Sequence, residues 1–396
     1  MIIIILTLQL LASGAVIIWF LLIFFRGQFW RADQYLPNIR TPLKKPPEIV
    51  IIIPARNEER TIDQCILSLL QQDYKGVMSI IVINDNSNDN TFQVAVSASQ
   101  GHNNVHLING TKTPSDWTGK IWALAQGIVL AKKNFRHAKY FLFTDSDILH
   151  HPENLTELTN KAVNESLALV SLMAKLRCTS VWETLLIPAF IFFFQKLYPF
   201  SLVNNPKNPV AAAAGGCMLV NCQYLEKVGG LEAIKTAVID DCALAILLKQ
   251  FNPIWIGLTQ STKSLREYQS LFDISRMVSR TAFVQLKYSP LNLFGAIMGM
   301  LIIYIIPLIS VLVGVLSKEI SLCILGLVGW IVMFFAYIPT LTLYNRPIWE
   351  ASLLPISALF YSAMTVISAW QYMFGKAPTW KGRPMMKEKK YNAIQK

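Results

Sequence analysis

The chain has 396 residues, enough for two or three domains, but it is 53% hydrophobic and only 15% charged, which excludes a wholly water-soluble protein. The formal net charge of +12 lies mostly in two short basic segments, which suggest membrane flanks facing anionic lipid. With no interleaved basic-aromatic stripe or zinc-finger spacing, a nucleic-acid groove is excluded as its explanation.

Residues 1–25 contain no charge and exceed the ~20 apolar residues that span a bilayer, and they lack the positive n-region of a cleaved signal peptide. They predict a retained transmembrane anchor. The linker 26–45 carries Arg26, Arg31, Arg40, Lys44 and Lys45 against Asp33 alone. Basic flanks favour the cytoplasmic side, which places the following domain in the cytoplasm, on the inner (plasma) membrane. Pro42 and Pro46-Pro47 make a stiff entry to it.

EIVIIIPARNEE reads as a buried strand that breaks into a turn at Pro54. Ile62, Cys65, Ile66 and Leu69 then follow at the spacing of an amphipathic helix. VMSIIVINDNSNDNT is a second strand with a helix from Thr91, and HLING is a short third strand. WTGKIWALAQGIVLAKK is helical after Gly119, and KYFLFTDSD is the fourth strand. This alternation predicts a mostly parallel sheet wrapped by helices, in which ligands collect at the carboxyl ends of the strands. Three of these strands end in polar clusters: Ala55–Glu58, Asp85–Asp89 and Asp145–Asp147.

After residue 178 the texture changes. The segment 184–200 is aromatic and apolar but interrupted by Lys196, which suits a helix in the membrane interface; a helix packed in the protein core is the alternative. NNPKNPVAAAAGG gives way to small residues that permit close backbone approach. Residues 291–375 hold three further hydrophobic membrane segments, and the tail 376–396 carries seven Lys or Arg against Glu388. Three crossings would put this basic tail outside, against the rule that places the domain inside, unless one segment is re-entrant or interfacial. The six cysteines show no zinc spacing and read as free thiols. The sequons at Asn109, Asn154 and Asn164 would be idle on a cytoplasmic domain.

Asp145 and Asp147 stand one residue apart after a hydrophobic strand. On a continuing strand they would face opposite sides; on a turning chain both can approach one cation. Two carboxylates with phosphate oxygens and waters suit Mg²⁺ or Mn²⁺, which offsets charge on a diphosphate leaving group. Asp240-Asp241 forms a second acidic pair, before the apolar run CALAILL, where Asp240 could instead cap a helix.

The strings IIIPARNEE, VINDNSNDNT, DWTGKIWALAQG, FTDSDILHHP, FIFFFQKLYPF, AAAAGGCMLV, IDDCALA and SRTAFVQLKYSP together resemble a family 2 glycosyltransferase with the nucleotide-sugar-binding GT-A fold, most closely the membrane-bound hopanoid-associated members. The resemblance covers 46–290 and implies an α/β GT-A domain flanked by transmembrane helices. It implies an inverting enzyme that moves a sugar from a UDP- or GDP-activated donor to a lipid acceptor, hopanoid or polyisoprenoid. Pro54, Ala55, Arg56, Asn57 and Glu58 would then line the nucleotide pocket, with Asp85 contacting the base; Asn84 stands where relatives often have a further aspartate. Lys120 would meet the diphosphate, Asp145 the ribose or metal, and Asp147 the metal directly. Asp241 would be the base that takes the acceptor proton, with Asp240 supporting it. His150 would be a loop or supporting residue rather than a ligand. Arg276 and Arg280 share a helix face, and Arg280 would contact the diphosphate. A processive synthase is disfavoured because only this arginine of the Gln-x-x-Arg-Trp motif is present; a non-catalytic nucleotide-sugar-binding protein would need no base.

Overall fold

The computed structural model describes residues 2–37, 43–374, 379–381 and 383–384; Arg40, Pro42 and most of the basic tail lie outside the described residues. The chain divides into two units. One comprises Asp33–Arg177, Leu202–Glu267 and the described residues from Thr379; the other comprises the N-terminal helix, Cys178–Ser201 and the chain from Tyr268. The boundary expected at 46–290 is therefore cut differently, because 178–201 and 268–290 group with the apolar helices.

The first unit is built on eight strands: β1 (Ile49–Ala55), β2 (Met78–Asn84), β3 (Val105–Asn109), β4 (Tyr140–Thr144), β5 (Ile148–Leu149), β6 (Leu169–Lys175), β7 (Cys217–Asn221) and β8 (Ile254–Ser264). Their order is β3-β2-β1-β4-β7-β6-β8-β5. β3, β2, β1 and β4 run parallel, as the alternating pattern predicts, whereas β7 is antiparallel to both β4 and β6. Every residue of β1 is buried, the signature of a strand covered on both faces.

The helix Ile62–Leu70 buries Ile62, Cys65, Ile66 and Leu69 against one face of the sheet. The helix Gly119–Asn134 covers β1 and β2 so closely that a Cβ on Gly127 would lie 2.4 Å from Ile52 and 2.8 Å from Ile83. The strand does not break at Pro54; it continues to Ala55. The pairing of β1 with β4 ends at Ile52 opposite Phe143, so the missing N–H of Pro54 deprives no β4 partner.

The second unit contains four helices long and apolar enough to cross a membrane: Ile2–Phe25, Pro290–Ser317, Ile320–Leu343 and Ile348–Met373. Pro307 has no N–H for the Ile303 carbonyl four residues earlier, and the Trp19 indole donates to that carbonyl at 3.0 Å. The segment expected at the interface forms a helix over Val181–Leu197. Its Phe192 and Leu186 are buried in an aromatic cluster with Trp19, Tyr304, Tyr337 and Tyr361.

Candidate active site

The sheet order changes direction between β1 and β4, and the polar residues gather at the carboxyl ends of these strands, where open α/β sheets bind ligands. β7 runs the other way, with Cys217 opposite Thr144. The small residues just before β7 are thereby delivered to the end of β4. Likewise β8 ends beside β5, with Ser264 opposite Ile148, which brings the next residues of the chain to Asp147.

The end of β4 is fixed by a buried relay. The Asn154 side-chain amide lies 3.0 Å from His150 Nδ1, and His150 Nε2 lies 2.9 Å from Thr144 Oγ1. If the amide donates, Nε2 carries the ring proton and donates to Thr144, whose hydroxyl in turn donates to the Gly216 carbonyl at 2.9 Å. Burial pushes His150 down to about 3, so the ring is neutral. The ring bridges Asn154 and Thr144 at the strand end.

Asp145 and Asp147 leave this strand end toward different partners. The chain turns there, with the Ile148 N–H donating to the Asp145 carbonyl at 3.3 Å. The Asp145 side chain is 38% exposed and pairs with Lys120 Nζ at 2.7 Å. That of Asp147 is only 9% exposed and pairs with Arg266 Nε at 2.9 Å, with Ser264 Oγ donating at 3.3 Å.

Lys120 stands in the first turn of the helix Gly119–Asn134. Its Nζ lies 2.7 Å from Asp145 and 3.7 Å from Asp240, which brings both acidic motifs onto one ammonium. Burial opposes that charge, yet Asp145 and Asp240 outweigh it and raise the Lys120 pKa above the usual range. Asp240 and Asp241 open the helix Asp240–Lys249, whose N-cap is Ile239, without a side-chain cap bond. Capping therefore does not account for Asp240.

Asp241 accepts the Gly215 N–H at 2.8 Å and the Cys242 N–H at 2.7 Å. Burial, reinforced by the neighbouring Asp240 charge, pushes it up to about 6 against the pull of Lys120 and these two N–H groups. A Cβ on Gly215 would meet Lys120 Nζ at 3.1 Å and Asp241 Oδ2 at 3.3 Å. Glycine here lets the backbone approach both side chains.

At the ends of β1 and β2, Pro54 and Ala55 are buried within the strand. The Arg56 guanidinium donates to the Asp85 carbonyl at 2.7 Å and the Asn86 carbonyl at 2.6 Å. Asp85 itself is fully buried. Asn57 (φ +52°) accepts the Asn88 N–H at 2.9 Å, and the Glu58 N–H donates to Thr91 Oγ1 at 2.7 Å. Glu58 also binds Arg266 Nη2 at 2.7 Å. Burial raises the Glu58 pKa, against the charges of Arg266 and Lys381. Arg280 falls in the other unit, just past the helix Leu271–Ser279.

Arg266, Gly215, Ser264 and Lys381 contact these candidate residues but are not singled out in the sequence. Gly215 lies within a quoted motif, and Lys381 directly precedes a glycine, a residue common in turns. Arg266 carries no local signal.

Among the described residues, no group of three or more His, Cys, Asp or Glu side chains forms a metal cage. Mg²⁺ and Mn²⁺ need none, since one or two carboxylates with phosphate oxygens and waters suffice. Glu58, Asp145, Asp147, Asp240 and Asp241 together outnumber Lys120, Arg266 and Lys381, an excess of hard oxygen donors and negative charge that fits such a cation.

A mixed, mostly parallel sheet with acidic residues at the ends of its central strands defines a GT-A-like α/β fold. The mannosyltransferase PcManGT from Pyrobaculum calidifontis, solved with GDP-Man and Mn²⁺, matches over 92% of this chain and 99% of its own, with a TM-score of 0.50 at 15% identity. Residues 50–229 match the family model described as Glycosyl transferase family 2. The probable glycosyltransferase YdaM of Bacillus subtilis is 33% identical over 96 residues, 24% of this chain and 23% of its own. The 4,4'-diaponeurosporenoate glycosyltransferase of Staphylococcus aureus is 37% identical over 100 residues, 25% of this chain and 24% of its own. The chain thus matches about a quarter of the length of these curated relatives.

Proposed function

We propose that the protein is a membrane-bound inverting glycosyltransferase that moves a sugar from a UDP- or GDP-activated donor to a lipid acceptor. The observation that carries this reading is Lys120, whose ammonium lies between Asp145 and Asp240 and so joins the donor-side acidic motif to the one that holds the base. Asp241 is the base. It is buried and anchored by two backbone N–H groups, and it is shifted to about 6, which leaves it ionised at neutral pH yet basic enough to take a proton.

The acceptor oxygen attacks the anomeric carbon from the side opposite the diphosphate. The new C–O bond forms as the bond to the diphosphate breaks, the electron pair leaves on the diphosphate, and the acceptor proton passes to Asp241. Asp240 and Lys120 hold the electrostatic environment of that carboxylate. Asp145 and Asp147 are the residues that would hold Mg²⁺ or Mn²⁺, which when bound supplies positive charge to the diphosphate. Arg56, Asn57 and Glu58, with Asp85, form the nucleotide wall.

A lipid acceptor is supported by the apolar helices and by a relative named for 4,4'-diaponeurosporenoate. Hopanoid and polyisoprenoid lipids are the classes to test first. The basic linker supports a domain on the cytoplasmic face of the inner membrane. The test is incubation of membranes with radiolabelled UDP- and GDP-sugars and Mn²⁺, followed by lipid extraction. Label in the organic phase is expected, and it must vanish with Asp241→Asn. Label confined to the aqueous phase across the panel would refute the lipid acceptor.

A further inference from the structure

The sequence reading assigns the basic C-terminal segment to the membrane surface, but its described residues belong to the α/β unit. Two short strands, β9 (Thr379–Trp380) and β10 (Arg383–Pro384), pair antiparallel as a hairpin. Lys381, directly after β9, has φ +49°, a left-handed conformation uncommon for a residue other than glycine.

Lys381 is held by three successive residues that follow β1. Its carbonyl accepts the Arg56 Nε–H at 3.2 Å, and its Nζ donates to the Asn57 carbonyl at 3.4 Å and pairs with Glu58 Oε1 at 2.6 Å. The same Arg56 grips the carbonyls of Asp85 and Asn86. The hairpin is therefore fastened to the strand ends assigned above to the nucleotide wall.

Glu58 Oε1 is shared between two cations, Lys381 at 2.6 Å and Arg266 at 2.7 Å. One of them can turn to an incoming anion without leaving the carboxylate unpaired. A lysine suits this task, because its ammonium is a compact charge with three donors on a flexible stem. Burial, with the Arg266 charge beside it, pulls Lys381 below the usual lysine range, although Glu58 opposes this. An added phosphate would favour its charged form.

We propose that Lys381 is a donor-binding residue, and that the C-terminal hairpin forms one wall of the pocket for a nucleoside diphosphate. The inference rests on the nucleotide-sugar reading above. The experiment is calorimetric titration of the full chain in detergent with UDP and with GDP, each with Mn²⁺, for the wild type, Lys381→Ala and Lys381→Arg. Loss of a charge-assisted contact predicts binding weaker by about tenfold or more in Lys381→Ala, with Lys381→Arg restoring most of it. Equal binding in Lys381→Ala would overturn the inference. So would tighter binding, which would make the hairpin a competitor of the donor. Failure of the wild type to bind either nucleotide would remove the donor reading, and this inference with it.

Discussion

Asp145 and Asp147, separated by one residue, end in different ion pairs: Asp145 on Lys120 at 2.7 Å, Asp147 on Arg266 at 2.9 Å. The first pair reaches toward Asp240 and the second toward Glu58. The turn after β4 thus links the residues assigned to proton transfer with those assigned to the nucleotide.

The pH dependence of turnover follows from Asp241. Its pKa is raised to about 6, and a base acts only when deprotonated. kcat should therefore fall about tenfold per pH unit below that value and level off above it. Removing the Asp240 charge, which helps to raise Asp241, should move the break to lower pH. A pH–rate profile of Asp240→Asn checks the direction; a break moving upward would contradict the assignment.

Lys120 acts on Asp241 in the opposite sense, since its charge lowers the carboxyl pKa. Lys120→Met should shift the pH break upward relative to the wild type. It should also weaken donor affinity by roughly tenfold or more, as expected when a charged contact is lost. Initial rates across pH and donor concentration measure both effects.

Gly215→Ala adds a Cβ against Lys120 and Asp241 at 3.1 and 3.3 Å. Displacing these side chains by a few tenths of an ångström should cost turnover on the order of tenfold to a hundredfold, while the protein stays folded. Circular dichroism alongside kcat separates this from general destabilisation. Wild-type turnover in the variant would show that the close approach is unimportant.

Where the apolar helices cross a membrane, as proposed, the pairing of Lys381 with Glu58 predicts that the chain returns to the domain's side after its last apolar helix. That requires an even number of crossings between residues 290 and 373, where three helices are long enough to cross. Ile348–Met373 is the helix we expect not to cross. Its apolar window is 44% buried, against 17% and 33% for the other two. Ser357 and Tyr361 each donate to carbonyls of the helix Val181–Leu197 at 2.8 Å, and Ser368 accepts the Phe283 N–H at 3.0 Å. A tag after Lys396 should be protease-accessible from the same side as the domain; accessibility from the opposite side would overturn this topology.

Much of the α/β unit was legible in the sequence because buried strands leave unbroken aliphatic runs: Ile49–Ile53, Ile80–Ile83 and Tyr140–Phe143 were read directly. Pro54 misled, since its lost N–H matters only where a neighbouring strand needs it. The antiparallel β7 was not legible, because its direction is set by its pairing with β4 and β6. The same limit applies to the contacts of Arg266 and Lys381. Arg266 reaches Asp147 only because β8 ends beside β5, and Lys381 reaches Glu58 from a segment whose composition alone suggests a membrane flank. Asp241 was legible as chemistry, whereas its partner Gly215 became visible only through the approach of β7 to β4.

The most direct test compares binding with transfer in Asp241→Asn. Purified wild type and variant are titrated with UDP or GDP and Mn²⁺ by calorimetry, and sugar transfer to extracted lipid is measured on the same preparations. The account predicts nucleotide affinity within about threefold of wild type, with transfer slower by roughly 10²–10⁴-fold. Transfer at the wild-type rate in Asp241→Asn would contradict it.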